Sequence, residues 1–166
     1  MCNSIVRYEI HWQKVVVMER TMKDLRLEQQ LCFAVYSASH AFTRFYKPLL
    51  AQLGVTYPQY LALLTLWEED GLSVTAIGDR LLLDSGTLTP LLKRLEGLGL
   101  VTRTRSSTDE RQVLVRLTER GSQMRHVAEG FPTQILAASD CSGEELDTLR
   151  RALMGLRQSL DKPVAA

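Results

Sequence analysis

The sequence predicts a mainly α-helical chain with one small β-hairpin, and three observations carry that prediction. Apolar residues recur at spacings of three and four over most of the 166 positions, the period of a helix with one buried face. One stretch, VTRTRSSTDERQVLVRLT, alternates instead, as two strands around a polar loop do. Ser73, Thr118 and Ser142 each stand just ahead of an apolar-periodic run, where a hydroxyl can accept from the first unpaired N–H groups of a helix. A hydrophobic content of 45% with few glycines and prolines fits an ordered core and argues against a disordered chain.

The elements follow in order. Residues 1–22 carry no clear period; they are expected to be a disordered extension or sequence from a misassigned start, with Met18 and Met22 as alternative starts. Cys2, His11 and Trp12 lie there and receive no role. A long helix is expected from about Lys23 to Lys47, with Leu27, Leu31, Val35, Ala38, Phe42 and Phe45 on its apolar side and Pro48 ending or kinking it. Such a helix needs more cover than one small domain offers, which points to a homodimer. Tyr57 to Trp67 reads as a second helix with Tyr60, Leu61, Leu64 and Trp67 on one side. Ser73 caps a short helix, Val74 to Leu81; Leu82, Leu83 and Asp84 form a tight turn; a further helix runs from Ser85 to about Leu98, closed by Gly99 in the left-handed position. Pro90 lacks a donor and belongs near a first turn or a bend. After the hairpin, Thr118 caps a helix through about Phe131, which Pro132 interrupts. A capping box, Ser142 to Glu145, opens a last helix striped by Leu146, Leu149, Leu153, Leu156 and Leu160, a face that suits packing beside the first helix of a dimer.

Helix, short turn, helix and hairpin in that order make a winged helix-turn-helix. A second helix that reads DNA presents short polar groups and cations towards base edges and phosphates. Ser85, Thr87 and Thr89 supply hydroxyls, and Lys93 and Arg94 supply charge one turn on. The hairpin carries Arg103, Arg105 and Arg111 around a tip of Ser106, Ser107, Thr108 and Asp109, a slim basic loop suited to a minor groove. Helix pairs beside a hairpin are common, and charged hairpins are usually only solvated. The wing at the right distance from the second helix favours double-stranded DNA.

The bulk numbers narrow the rest. A net charge of +1 neither favours nor opposes nucleic acid, so the cations must be gathered on one face. No apolar run approaches a membrane span, and Val15 to Met18 falls short of a signal-peptide core, so a cytoplasmic protein is expected. Three cysteines without CxxC or Cys/His spacing suggest neither a disulfide framework nor a zinc site, and no cofactor, metal or catalytic constellation is expected.

The segment LSVTAIGDRLLLDSGTLTPLLKRLEGLGLVTRTRSSTDERQVLVRLT resembles the core of the MarR family of transcriptional regulators, notably in its GLGLVTR turn into the wing and in Asp109, Glu110, Arg111, Leu117 and Thr118. LCFAVYSAS, TYPQYLALLTLWE and LDSGTLTPLLKRLE resemble its OhrR branch, which represses organic-peroxide-resistance genes until a cysteine is oxidised. The likeness spans about Leu25 to Leu160. It implies one domain over 23–162, with dimerisation helices at about 23–53 and 119–160 and a DNA-binding core at about 56–118. It also implies an obligate homodimer on a pseudo-palindromic operator, Arg111 entering the minor groove, and Asp109 bracing the wing.

The thiol reading begins with helix geometry. Tyr36 follows Cys32 by one turn on nearly the same face, and Tyr46 returns to within about 40° of it. On a straight helix Tyr46 lies about 21 Å away along the axis, out of reach of its own chain's sulfur. The resemblance implies that tyrosines matching Tyr36 and Tyr46, one from each subunit, donate to the reactive sulfur and favour the thiolate that attacks a peroxide. Cysteine is also often simply buried, which is the plainer alternative. Cys141 is either the thiol that traps the sulfenic acid or a bystander, since the resolving position of two-cysteine relatives aligns nearer Ala137; the resolving role is preferred. His40 and His126 read as structural or surface residues. The expected function is a repressor released from its operator by organic hydroperoxide. The alternatives are a MarR-type repressor released by a small aromatic ligand and a thiol peroxidase, although a DNA-reading segment has no purpose in the latter.

Overall fold

The computed structural model describes residues 25–162 apart from 108 and 110. The expected N-terminal extension, and the first residues of the expected first helix, lie outside the described residues. The chain divides into two compact units at Pro48.

The N-terminal unit is a short 3-10 turn, Leu27–Gln29, and most of helix α1, Leu31–Leu53. The helix therefore starts later than its periodicity predicts, because Arg26 and Gln30 are extended on either side of the 3-10 turn. Pro48 neither ends the helix nor breaks it. The ring removes one donor, yet the helix continues to Leu53. Gly54, at φ 66°, closes it, with Val55 N–H donating back to the Leu50 carbonyl at 3.3 Å.

The second unit contains α2 (Tyr57–Glu68), β1 (Leu72–Ser73), α3 (Val74–Leu81), α4 (Ser85–Gly97), β2 (Val101–Arg105), β3 (Val113–Leu117), α5 (Glu119–Ala128), α6 (Phe131–Ala138) and α7 (Gly143–Leu160). Local chemistry sets the boundaries. Ser73 Oγ accepts from Ala76 N–H at 3.1 Å, and Leu82 takes the left-handed conformation (φ 58°) that ends α3. Asp84 accepts from Thr87 N–H at 2.9 Å to start α4, and Gly99, at φ 69°, turns the chain into the wing. Ser142 and Glu145 form the expected capping box on α7.

Strands β2 and β3 pair antiparallel, with Val101 opposite Leu117 and Arg105 opposite Val113. The hairpin is part of a three-stranded sheet of order β1-β3-β2, because Leu72 and Ser73 pair with Val115 and Leu114. The core gathers Leu63, Leu66, Ile77, Leu92, Leu95 and Val115, each at most 1% exposed.

Three further expectations need correction. The buried residues of α2 are Gln59, Tyr60, Ala62, Leu63, Thr65 and Leu66, whereas Leu64 is 40% exposed. This helix is packed by α3, α4 and α5 and so is covered around most of its girth rather than on one stripe. Pro90 sits within the second turn of α4, where the helix runs on past it to Gly97. Pro132 does not interrupt a helix but opens α6, where its missing N–H costs no helical bond.

Two outcomes test this packing. A Cβ on Gly121 would stand 2.0 Å from the Leu100 carbonyl oxygen, whereas one on Gly97 meets nothing within 4 Å. Gly121→Ala should cost at least about 2 kcal/mol in urea unfolding, and Gly97→Ala should gain about 0.5–1 kcal/mol. Asp84 is held below the ordinary carboxylate value by its bond from the Thr87 N–H and then by the Thr87 hydroxyl. Its contribution to stability is full above the ordinary aspartate value and is lost as pH falls through the lowered one. Asp84→Asn keeps a capping acceptor but does not titrate, so its thermal midpoint should fall less than the parent's between about pH 5 and pH 2.

Candidate nucleic-acid interface and thiol face

Helix α4 and the hairpin carry the expected DNA-reading residues. Ser85 and Thr87 are exposed in the first turn of α4, and Thr89 is half-buried. The Thr87 hydroxyl donates to Asp84 at 2.9 Å, so its hydrogen is committed to the cap and only its lone pairs face outward. Lys93 and Arg94 are exposed one turn on. Thr89 also lines a cleft of about 200 Å³ with Ser73, Thr75, Arg103, Arg111 and Gln112.

The wing tip is held by a compact set of bonds. Ser106 N–H donates to the Gln112 carbonyl, and Gln112 N–H to the Asp109 carbonyl, each at 2.9 Å. The Asp109 carboxylate accepts from Arg111 N–H at 3.0 Å and from Gln112 Nε2 at 3.1 Å. These bonds fix the Arg111 backbone and leave its side chain exposed. Lys93, Arg94, Arg105 and Arg111 make no ion pair among the described residues, so this face is more positive than the net charge suggests.

Arg103 does not belong with them. The sequence groups it with Arg105 and Arg111, but its Nε and Nη2 donate to Glu96 Oε2 at 2.9 and 2.8 Å, and its backbone N–H donates to Glu96 Oε1 at 3.1 Å. Sequence reasoning missed Glu96, which lies seven residues away across a turn. It also gave no capping role to Asp84, although the Asp84–Thr87 spacing carries that signal.

Cys32 is the second residue of α1, exposed, with no hydrogen bond to its sulfur among the described residues. Tyr36 is 61% exposed and follows one turn later; Leu31 and Val35 beside the pair, and Phe42 further along α1, are exposed as well. His40 is not isolated: its ring lies 4.3 Å from that of Tyr36, centroid to centroid. Tyr46 is buried and meets Phe45 edge to face at 6.3 Å. Because α1 is unbroken between them, Cys32 and Tyr46 of one chain are about 21 Å apart along the axis. One chain therefore does not bring the proposed thiol group together.

Cys141 is exposed in the turn between α6 and α7, after Asp140 at φ 52°, and its N–H donates to Ser139 Oγ at 3.4 Å. His126 is also accompanied, with Nδ1 3.7 Å from Glu129. Among the described residues no His, Cys, Asp and Glu group could hold a metal ion, and no helix is long and apolar enough to cross a membrane.

Comparison with known proteins places this geometry. The family model described as transcriptional regulator SarA/Rot matches residues 44–127. The organic hydroperoxide resistance transcriptional regulator of Bacillus subtilis (strain 168) is 52% identical over 143 residues, which cover 86% of this chain and 97% of that protein. The HTH-type transcriptional regulator TtmR of Methylorubrum extorquens (strain PA1) is 51% identical over 148 residues, covering 88% of this chain and 74% of TtmR. Among solved structures, reduced AbfR bound to DNA is 43% identical with a TM-score of 0.69, covering 82% of this chain and 93% of AbfR. AbfR is a protein of Staphylococcus epidermidis. Overoxidised AbfR bound to DNA gives a TM-score of 0.67 at 43% identity over 82% and 96% of the two chains. Disulfide-formed AbfR gives 0.57 at 41% identity over 84% and 98%. With a helix-turn-helix, a three-stranded wing and these relatives along nearly its whole described length, the chain belongs to the MarR family of winged-helix transcriptional regulators, in the branch of the organic hydroperoxide resistance regulator.

Proposed function

We propose that this protein is a homodimeric, DNA-binding repressor that senses organic hydroperoxides through Cys32 and then releases its operator. The observation that carries the reading is an exposed thiol set among exposed apolar residues on an unbroken helix, with a tyrosine one turn away. Leu31, Val35 and Phe42 on α1 are apolar residues that one chain leaves uncovered, and so, separately, are Leu149, Leu153 and Met154 on α7. A second copy supplies that cover. Antiparallel first helices in such a dimer would carry the partner's Tyr46 towards Cys32, where a phenol donates to the sulfur and favours thiolate.

The chemistry follows from the thiolate. Its sulfur attacks one peroxide oxygen, the O–O bond breaks, and the leaving alkoxide takes up a proton to become an alcohol. Cys32 is left as a sulfenic acid, oxidised by two electrons. A second thiolate can then form an S–S bond and displace hydroxide, which is protonated to water. Each cycle consumes one peroxide as a signal, and the protein is a regulator rather than an enzyme. Ser85, Thr87, Thr89, Lys93 and Arg94 face the major groove in this reading, and Arg105 and Arg111, braced by Asp109, face the minor groove.

The aromatic-ligand alternative has one supporting feature, a cleft of about 410 Å³ lined by Tyr60, Leu64, Trp67 and Arg125. Its cation is already engaged, since Arg125 donates to the Trp67 carbonyl at 3.2 Å and lies 3.4 Å from Glu129. Release of DNA by an aromatic carboxylate, unaffected by loss of Cys32, would establish that reading.

Cys32→Ser should bind operator as the reduced parent does and stay bound after cumene hydroperoxide, because an alcohol forms no sulfenic acid. A gel shift on the region upstream of the protein's own coding sequence checks this, and release of Cys32→Ser at the parent's peroxide dose would show that the sensor is elsewhere. Cys141 lies in a turn rather than within a helix, so bringing it to a partner sulfur need not unwind one. Non-reducing electrophoresis after mild peroxide treatment should show a covalent dimer that disappears in Cys32→Ser and in Cys141→Ser. A mixed disulfide at Cys32 with no dimer would make Cys141 a bystander.

A further inference from the structure

We propose that Glu96 is a positioning residue for DNA binding, which through Arg103 fixes the angle at which the wing meets helix α4. The proposal rests on the reading that Arg111 at the wing tip touches DNA. The covalent link between α4 and β2 is short and contains Gly99 in the left-handed conformation, where a Cβ would meet nothing within 4 Å. Backbone bonds from Gly99 N–H to Glu96 at 2.9 Å and from Leu100 N–H to Leu95 at 3.0 Å hold that turn, so it fixes where β2 starts but acts only at the strand's first residue.

The side chains add a second constraint two residues into the strand. The Glu96 carboxylate accepts three hydrogen bonds from one residue of β2: the Arg103 N–H at 3.1 Å, Nε at 2.9 Å and Nη2 at 2.8 Å. The Arg103 side chain is 21% exposed and that of Glu96 is 37% exposed, so the pair is only partly screened by water. A planar guanidinium bonded along one edge, with its own backbone N–H bonded to the same carboxylate, fixes orientation as well as distance. Further out, the tip makes no such bond to α4 among the described residues. The cleft bounded by Thr89, Arg103, Arg111 and Gln112 separates the tip from α4, so the direction of Arg111 is set at the base of the hairpin.

The sign of the effect separates positioning from plain electrostatics. Glu96 is a negative charge beside a DNA-facing surface, so its removal by charge alone would tighten binding. If Arg103 were itself a DNA contact, freeing it from Glu96 would also tighten binding. A positioning role predicts the reverse.

The test uses fluorescence anisotropy of the full-length reduced protein on a labelled duplex that the wild-type protein selects from a random library. Glu96→Gln should weaken binding about fivefold or more, the size expected when one member of a coupled network is lost. Arg111→Ala should weaken it about tenfold, and adding Glu96→Gln to Arg111→Ala should cost almost nothing further. The charge-swapped pair Glu96→Arg with Arg103→Glu should regain part of the lost affinity, which also guards against a variant that merely folds poorly. Equal or tighter binding by Glu96→Gln overturns the proposal, and so does an undiminished loss in the Arg111→Ala background. If Arg111→Ala binds as the parent does, the reading of the wing fails and the proposal falls with it.

Discussion

The DNA-reading half of this molecule depends on one close approach, where the first turn of α5 rests on the carbonyls that end α4 and begin the wing. Thr118 N–H donates to the Leu100 carbonyl at 3.0 Å, and its hydroxyl donates to that of Gly99 at 2.7 Å. The same hydroxyl accepts from Gly121 N–H at 3.0 Å, and Arg120 Nη1 donates to the Leu98 carbonyl at 3.0 Å. Trp67 Nε1, near the end of α2, donates to the Gly121 carbonyl at 2.9 Å. The last carbonyls of α4 are met by its own cap turn, with Leu98, Leu100 and Gly99 N–H donating to Arg94, Leu95 and Glu96, so it is the three carbonyls after the helix that α5 satisfies. Only glycine at 121 admits the approach. The ends of α2 and α4, the base of the hairpin and the start of α5 are therefore tied at one point, and a displacement of α5 reaches all of them.

The thiol face depends on the opposite condition, a surface left without cover. Tyr36 and Leu31 are about 60% exposed in one chain, and Phe42 is 45% exposed. Covering apolar area of that kind is worth about 25 cal/mol per Å². A sulfur placed in such a surface becomes part of an interface once a second copy covers it. In the dimer proposed above, oxidation would put a polar group where apolar contact holds the two copies, so that a change at one atom would act on packing.

Much of the fold was legible because its signals are local. Ser73, Thr118 and Ser142 cap helices at spacings of three residues, and Gly99 takes the turn that its position after a periodic run demands. The face shared by Cys32 and Tyr36 is likewise a matter of one helical turn. What stayed hidden is non-local. Leu72 and Ser73 are too few to read as a strand and become one only because Leu114 and Val115, more than forty residues on, arrive beside them. Leu64 reads as core by period, yet whether it is covered depends on which helices pack around α2. Arg103 looks like another wing cation until the turn at Gly99 carries Glu96 to it. The proposed meeting of Cys32 with a partner's Tyr46 is beyond any reading of one chain, since it would require that partner.

The rigidity of the reading head bears on how a thiol could release DNA. With the wing tied to α4 by Glu96 and to α5 by Thr118 and Gly121, slackening the wing alone would mean breaking several bonds at once. Moving the whole head against its copy breaks none of them. A sulfenic acid adds one polar group to an apolar setting, an effect on the order of 1–3 kcal/mol. That corresponds to a shift of roughly 5- to 150-fold between two states. A disulfide imposes more, because the two Cα atoms must come within about 7 Å whatever the packing prefers. If the protein is the thiol-switched dimer proposed above, a bond between sulfurs demands more displacement of intact heads than a sulfenic acid does.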